Sequence, residues 1–339
     1  MATLNLLDLI EPDELTGFAR AALRDYEENQ FMLSRYFPAR QTQDTMVTFG
    51  TGGGGLANTA KFRAYDAEAP IGQRETIEKK TLEIPPISEK LWLTEYERYR
   101  TMNNADQAVA AVYNDASTLM RGIAARQELA RGRALQDGAL TIDENGLVLT
   151  VDFGRAAGHT VSAGTTWATS TTDILTDILT WMDTYNDTNG FLPGGIVCSR
   201  TVLGYMLTND GFRGLAFFGG TPPSRLSVEE LNGQLADREI PPLTVYDAKV
   251  SVDGSSTRVI DVDSFIFTPP EGGGAAGAQV WGTTLEALEQ LELRGSDAPG
   301  VVAVLMRQRD PISYWTLAAG KGIPILGNPD LTFKADVVP

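Results

Sequence analysis

The sequence predicts a mixed α+β fold with an extended outline, and three observations carry that prediction. A helical apolar stripe runs unbroken from about Asn104 to Leu135. A charged hairpin pattern follows a glycine run and has no strongly apolar face of its own. Helical and strand patterns alternate after residue 165, and strand-like segments return near the C-terminus. At 339 residues the chain is about two domains long, taking roughly 150 residues per domain.

The elements follow in order. Leu15, Phe18, Ala19, Ala22, Leu23 and Tyr26 recur at three- and four-residue steps and predict a helix over 11–30. Residues 31–48 carry Phe31, Tyr36, Phe37 and Pro38 without a period. They read as an arm lying on another surface, having too little apolar material for their own core. Gly50-Thr51-Gly52-Gly53-Gly54-Gly55 lacks the Lys-Ser/Thr of a phosphate cradle. It reads as a hinge, because glycine accepts almost any backbone direction. Lys61–Asp66 and Thr76–Ile84 then read as two strands around a Pro/Gly loop at 67–72. A lone two-stranded ribbon is marginal in water. This one therefore needs a partner surface, in the chain or on another copy; the alternative is an unsupported surface hairpin.

Pro85-Pro86 closes the ribbon, and the long helix follows. Ala105, Ala108, Val109, Val112, Ala116, Leu119, Met120, Ile123 and Ala130 trace its stripe, and about 32 residues at 1.5 Å each give a rod nearly 50 Å long. Arg121, Arg126, Arg131 and Arg133 cluster late, where cations complement the helix dipole. Asp143-Glu144-Asn145-Gly146 predicts a hairpin turn. Ile174, Leu175, Ile178, Leu179 and Met182 predict a helix ending at Asn189-Gly190. Gly195–Cys198 reads as a buried strand leading to a helix capped near Ser199, and Ser227-Val228-Glu229-Glu230 is a capping box. Strands are expected at 243–246, 248–252, 257–262 and 264–267, with a turn at Asp253-Gly254. Glu271–Gly277 reads as a loop, Val301–Arg307 as a strand, and the tail as Pro-punctuated segments.

Composition removes whole classes of function. Lys and Arg number 28 against 44 Asp and Glu, a net charge of −16. The deficit is −4 over residues 1–137 (16 basic, 20 acidic) and −12 over 138–339 (12 basic, 24 acidic). Nucleic-acid affinity comes largely from cations displacing counterions, so specific DNA or RNA binding is not expected. The first ten residues lack a cationic n-region, and the longest apolar run, Val301–Met306, is far short of the ~20 residues of a membrane span. The chain reads as soluble, cytosolic and without a membrane role.

No chemical constellation stands out. One histidine, His159, and one cysteine, Cys198, exclude an internal disulfide and a Cys/His metal site. His159 lies in polar Ala157-Gly158-His159-Thr160 and reads as an exposed side chain; Cys198 reads as a small core residue. Asp143–Gly146 and Asn186–Gly190 lack the oxygen-ligand alternation of a calcium loop. No catalytic, cofactor-binding or metal residue is assigned, and no cofactor is expected.

Order and short motifs together point to one family. Asn29-Gln30-Phe31-Met32-Leu33-Ser34-Arg35-Tyr36-Phe37-Pro38 resembles the opening segment of lambda-type major capsid proteins of tailed bacteriophages, the major capsid protein E family. Leu226 to Tyr246 followed by Val280-Trp281-Gly282 resembles the family's protruding domain. Asp310-Pro311-Ile312-Ser313-Tyr314-Trp315-Thr316-Leu317 with Pro324-Ile325-Leu326-Gly327-Asn328-Pro329-Asp330 resembles its closing segment most closely.

The resemblance implies a Hong Kong 97-type fold and no enzyme activity. Residues 1–48 would be the N-terminal arm, 49–85 the extended loop, 86–165 and 292–339 the peripheral domain with its spine helix, and 166–291 the axial domain. It implies an icosahedral shell around double-stranded DNA, built in the host cytoplasm from pentamers and hexamers of the chain. The DNA would be enclosed without specific binding, since negative charge lets it slide. A scaffold, a portal and a decoration protein are the further partners it allows for, and since the chain begins almost at the arm, any scaffold would be a separate protein or absent. Arg74, Glu75, Glu78, Lys79, Lys80 and Glu83 of the extended loop would meet a neighbouring subunit. Some relatives join neighbours by a Lys–Asn bond; Lys79, Lys80 and Asn328 are of the right type, and nothing in the sequence shows such a bond. Two alternatives are an encapsulin-type compartment of the same fold and a soluble α/β enzyme using carboxylates.

Overall fold

Most of the elements form where the apolar periodicity places them. A computed structural model describes residues 5–51, 59–60, 62–66, 68, 78–101, 104–217, 223–270, 275–291, 297–310 and 312–338. Gly52–Gly55, the loop at 69–72, Arg74, Glu75 and residues 271–274 lie outside them.

The chain begins with helix α1 (Pro12–Asn29), strands β1 (Ala39–Gln41) and β2 (Met46–Thr51), then β3 (Glu78–Glu83) and β4 (Pro86–Leu93). Helices α2 (Glu95–Thr101) and α3 (Ala105–Asp137) precede β5 (Ala139–Glu144), β6 (Leu147–Asp152) and β7 (Thr160–Ser162). Next come α4 (Ile174–Asn189), β8 (Gly195–Cys198), α5 (Arg200–Thr208), α6 (Asp210–Ala216) and α7 (Val228–Ala236). Strands β9 (Leu243–Val245), β10 (Lys249–Val252), β11 (Ser255–Arg258), β12 (Ser264–Thr268) and β13 (Gly277–Trp281) lead to α8 (Leu285–Glu289). The chain closes with β14 (Val302–Arg309), β15 (Ile312–Leu326) and β16 (Phe333–Asp336).

Two compact units result. The first comprises Met1–Thr48, Thr81–Arg131 and Ala278–Ile325. Its sheet runs β1-β13-β15-β14, and β4 pairs with β15 on that strand's other side. The sequence divides the tail at its prolines, yet residues 312–326 make one strand. Pro324 lies beyond the β14 and β4 pairings, which end at Ala319 and Lys321. Helix α1 starts with a proline in its first turn, followed by Asp13 and Glu14 at the positive end of the dipole. It lies along β14, burying Leu15, Ala19 and Leu23, and Thr16 donates to the Ala303 carbonyl at 3.0 Å. The helix expected over 11–30 is thus packed into this unit's core. At Gly322 a Cβ would come within 2.5 Å of the Trp281 ring, so the absent side chain lets the indole lie on the strand.

The second unit comprises Phe49–Lys80, Gly132–Gly277 and Leu326–Pro339. Its sheet runs β7-β16-β12-β8-β9, with β12 antiparallel to both neighbours and the outer pairs parallel. Trp167, Trp181, Tyr185, Phe265, Phe267 and Phe333 form its aromatic centre; the two indoles stack at 5.4 Å. Helix α4 is capped by Asp173 and stopped by Gly190 at φ 78°, and the Ser227/Glu230 capping box is formed. Asn145-Gly146 and Asp253-Gly254 each have positive φ at both residues, which makes the two hairpins type I′.

Two expectations fail for physical reasons. The ribbon's first strand is β2, ahead of the glycine run, and the described residues 62–66 are not in a strand. Val47-Thr48-Phe49 is the β-branched and aromatic run that favours the pleat, whereas Lys61–Asp66 lacks one. The late arginines do not serve the dipole of α3, whose last turn has no basic residue. That task falls to Arg155, which donates to the carbonyls of Gln136 at 2.9 Å and of Leu135, beside Gly138 at φ 63°.

Candidate assembly surface

Strands β2 and β3 pair into a two-stranded ribbon, with Thr48 and Thr81 hydroxyls 3.1 Å apart across it. Strand alternation puts Glu78, Lys80 and Leu82 on one face of β3 and Lys79, Thr81 and Glu83 on the other. The first face is tied to the chain: Leu82 is buried, and the Lys80 ammonium donates to the Asp152 carbonyl at 2.8 Å, 3.9 Å from Glu78. Phe49 of β2 packs on Phe153 at 6.0 Å. The second face is entirely exposed, as is Glu78. Of the six charges expected to meet a neighbour, the structure gathers four on β3; Glu78, Lys79 and Glu83 face solvent, and Lys80 is engaged within its own chain. Arg74 and Glu75 are outside the described residues.

A cavity of about 770 Å³ opens at the base of β3, lined by Glu83, Ile84, Ser88, Leu285, Leu288 and Lys321 among others. Leu285 is 69% exposed at its rim.

A buried polar clamp fixes the first unit beneath these features. Arg131 of α3 donates to Glu27 of α1, to Glu128 at 3.3 Å and to Gln279 of β13 at 3.0 Å. Glu128 accepts from the Leu33 amide at 2.9 Å, and Gln279 donates to Gln127, which donates to the Gly322 carbonyl. One guanidinium thus ties helix, N-terminal segment and sheet together, and the planar fork suits three acceptors at once. The sequence held a signal for it. Met120, Ala124, Gln127, Arg131 and Leu135 step by three and four along the apolar stripe, so Gln127 and Arg131 fall where burial is expected.

The single-copy reactive residues make no site. His159 is fully buried, correcting its expected exposure: it sits between Tyr185 and Phe333, 5.7 and 5.4 Å from their rings. Its polar sequence neighbours mask this, because the apolar contacts come from α4 and β16. Its Nδ1 lies 3.2 Å from the Thr332 carbonyl, Nε2 has no partner, and burial lowers its pKa. Cys198 is buried on β8, where desolvation pushes the thiol up to about 12, far from nucleophilic character. Among the described residues no three His, Cys, Asp or Glu side chains gather as a metal site, and no helix is long and apolar enough to cross a membrane.

The family model for phage major capsid protein E matches residues 21–337. No curated protein matches the sequence. Solved structures share the fold at low identity. A phage-related protein from Bordetella bronchiseptica RB50 aligns with a TM-score of 0.61 at 14% identity, over 95% of this chain and 96% of its own. A putative capsid protein of a prophage of E. coli CFT073 aligns with a TM-score of 0.63 at 12% identity, over 95% and 99%. Matched over nearly its whole length, the chain belongs to the phage major capsid protein E family, with the Hong Kong 97-type fold, and is the subunit of a viral capsid shell.

Proposed function

We propose that the subunit closes its shell through the β2–β3 ribbon, whose outer face is completed by a neighbouring copy. The observation that carries this reading is the ribbon's asymmetry. One face of β3 is anchored by Leu82 and Lys80, while Lys79, Thr81 and Glu83 on the other are exposed. Glu78, Lys79 and Glu83, with Arg74 and Glu75, are the contacts assigned to the neighbour, in pentamers and hexamers. In this reading residues 1–48 are the arm, 49–85 the extended loop, 86–165 with 292–339 the peripheral domain and 166–291 the axial domain. The protein acts without catalytic turnover; the raised pKa of the Cys198 thiol and the enclosure of His159 support that. Its charge of −16 keeps packaged double-stranded DNA from adhering, and portal and decoration proteins are its further partners during assembly in the host cytoplasm.

Replacing residues 58–84 by a short Gly-Ser linker tests the reading. Because the replacement also removes the buried Leu82 and Ile84, the monomer is expected to keep its circular dichroism but to melt lower, while closed shells vanish from negative-stain images. Lys79→Glu with Glu83→Lys, both exposed, should lose shells at an unchanged melting temperature. Intact shells refute it.

A further inference from the structure

A sheet face of the first unit is only half covered. Rows of cross-strand neighbours run Val302–Ala319–Ser88, Val304–Leu317–Lys90 and Met306–Trp315–Trp92 over β14, β15 and β4. Ala287 of α8 and the following Leu291 pack on Val302, Val304 and Ala319, and the cover thins at Met306 and Leu317. Beyond it the Trp92 and Trp315 rings stack at 5.4 Å and 13°, with Trp92 46% exposed. The Lys90 ammonium stands 4.4 Å over the Trp315 ring, and the Trp315 indole N–H donates to Gln308 at 2.6 Å, which fixes the ring. Rigid stacked indoles with a cation above them form an aromatic, positively charged shelf in a protein of net charge −16. Such rigid amphipathic surfaces are typical anchors of protein contacts.

The same chain carries a matching segment. Phe62 and Tyr65 are fully exposed, at 107% and 100%, and Asp66 and Glu68 beside them are exposed carboxylates. Aromatic rings followed by acids complement aromatic rings beneath a cation. Two different patches of one chain that fit each other make a heterologous contact, the kind that repeats around rings and lattices.

We infer that the Trp92–Trp315–Lys90 shelf receives Phe62, Tyr65, Asp66 and Glu68 of a second copy of the chain, with the two rings on the indoles and the two carboxylates toward Lys90. This rests on the reading of residues 49–85 as a loop that reaches a neighbour, and it names the surface that loop reaches.

The test is charge reversal and its reciprocal rescue in the full chain. Lys90→Glu is expected to lower the monomer's melting temperature only slightly, through loss of the contact with the Trp315 ring, and to lower the yield of shells at low salt about tenfold, with recovery as salt screens the repulsion. Asp66→Lys with Glu68→Lys should also lower it, and the triple variant should restore shells to near the parent level. Trp92→Ser, checked for folding by circular dichroism, should lower shell yield at every salt concentration. Undiminished assembly of Lys90→Glu, or a triple variant no better than the single reversals, overturns the inference. The linker replacement of residues 58–84 separates the two ideas. Shells lost on that replacement but indifferent to Lys90 overturn the shelf alone; shells that survive it overturn the loop reading as well.

Discussion

Removing Arg131 is expected to destabilise the first unit severely, and the clamp shows why. Its guanidinium is 1% exposed and serves two carboxylates and an amide, while the Glu128 side chain is 0% exposed. Arg131→Met keeps the apolar stem but takes the guanidinium from the buried Glu128 and the donor from the Gln279 oxygen. Breaking one side of a buried pair costs about 3–5 kcal/mol. Against a total stability of about 5–15 kcal/mol, the variant should be close to unfolding. A second change separates charge from shape. Glu128→Gln still accepts from the Leu33 amide, yet carries no charge, so adding it to Arg131→Met should return about 2 kcal/mol. Urea unfolding of unassembled subunits, followed by tryptophan fluorescence, measures both. A loss below about 1 kcal/mol for the single variant, or a double variant no more stable than the single, would refute the reasoning.

Other consequences are equally checkable. Gly132→Ala should destabilise despite alanine's advantage of about 1 kcal/mol in a helix, since the added Cβ would lie 2.3 Å from the Val259 carbonyl oxygen; a higher melting temperature would contradict that close approach. His159 has a pKa lowered from 6.5 by burial, so the unfolded chain takes up its proton at higher pH than the folded one. Stability should therefore be full above about pH 6.5 and decline as pH falls below it, and His159→Phe should flatten that decline; an unchanged slope in the variant would exclude the histidine as its source. Ile123→Asp places an unpaired charge on the buried stripe of α3 and should yield insoluble or unassembled protein, whereas Arg126→Ala should be mild. Native Cys198 should resist iodoacetamide at pH 8 and react once urea unfolds the chain, as its raised pKa and burial require.

Local chemistry made much of the fold legible. The stripe of α3 predicts a helix within two residues of its observed ends, and Asn-Gly and Asp-Gly predict both hairpins because positive φ at two successive positions admits few residues. What the sequence hides is decided by distant partners. His159 has polar neighbours in sequence and aromatic ones in space. Arg155 caps α3 from 18 residues beyond its end at Asp137, a separation that no local rule covers. The loose alternation of Lys61–Asp66 points to a ribbon strand too late in the chain, while the better β-formers Val47, Thr48 and Phe49 stand before the glycines. That Glu78, Lys79, Lys80 and Glu83 share one strand is legible in the sequence. Their division into a tethered Lys80 and an outward Lys79 and Glu83 needed coordinates, because Asp152 lies 72 residues away.

Amide hydrogen exchange on the ribbon, compared between dissociated subunits and closed shells, tests the central claim most directly. Peptides covering Met46–Thr51 and Glu78–Glu83 are read in both states, with the aromatic centre of the second unit as an internal reference. The account predicts that ribbon amides exchange quickly in the free subunit, as a two-stranded ribbon in water should, and slow by at least about tenfold in shells. The reference peptides should change little. Ribbon amides that exchange at the same rate in both states would contradict completion by a neighbouring copy.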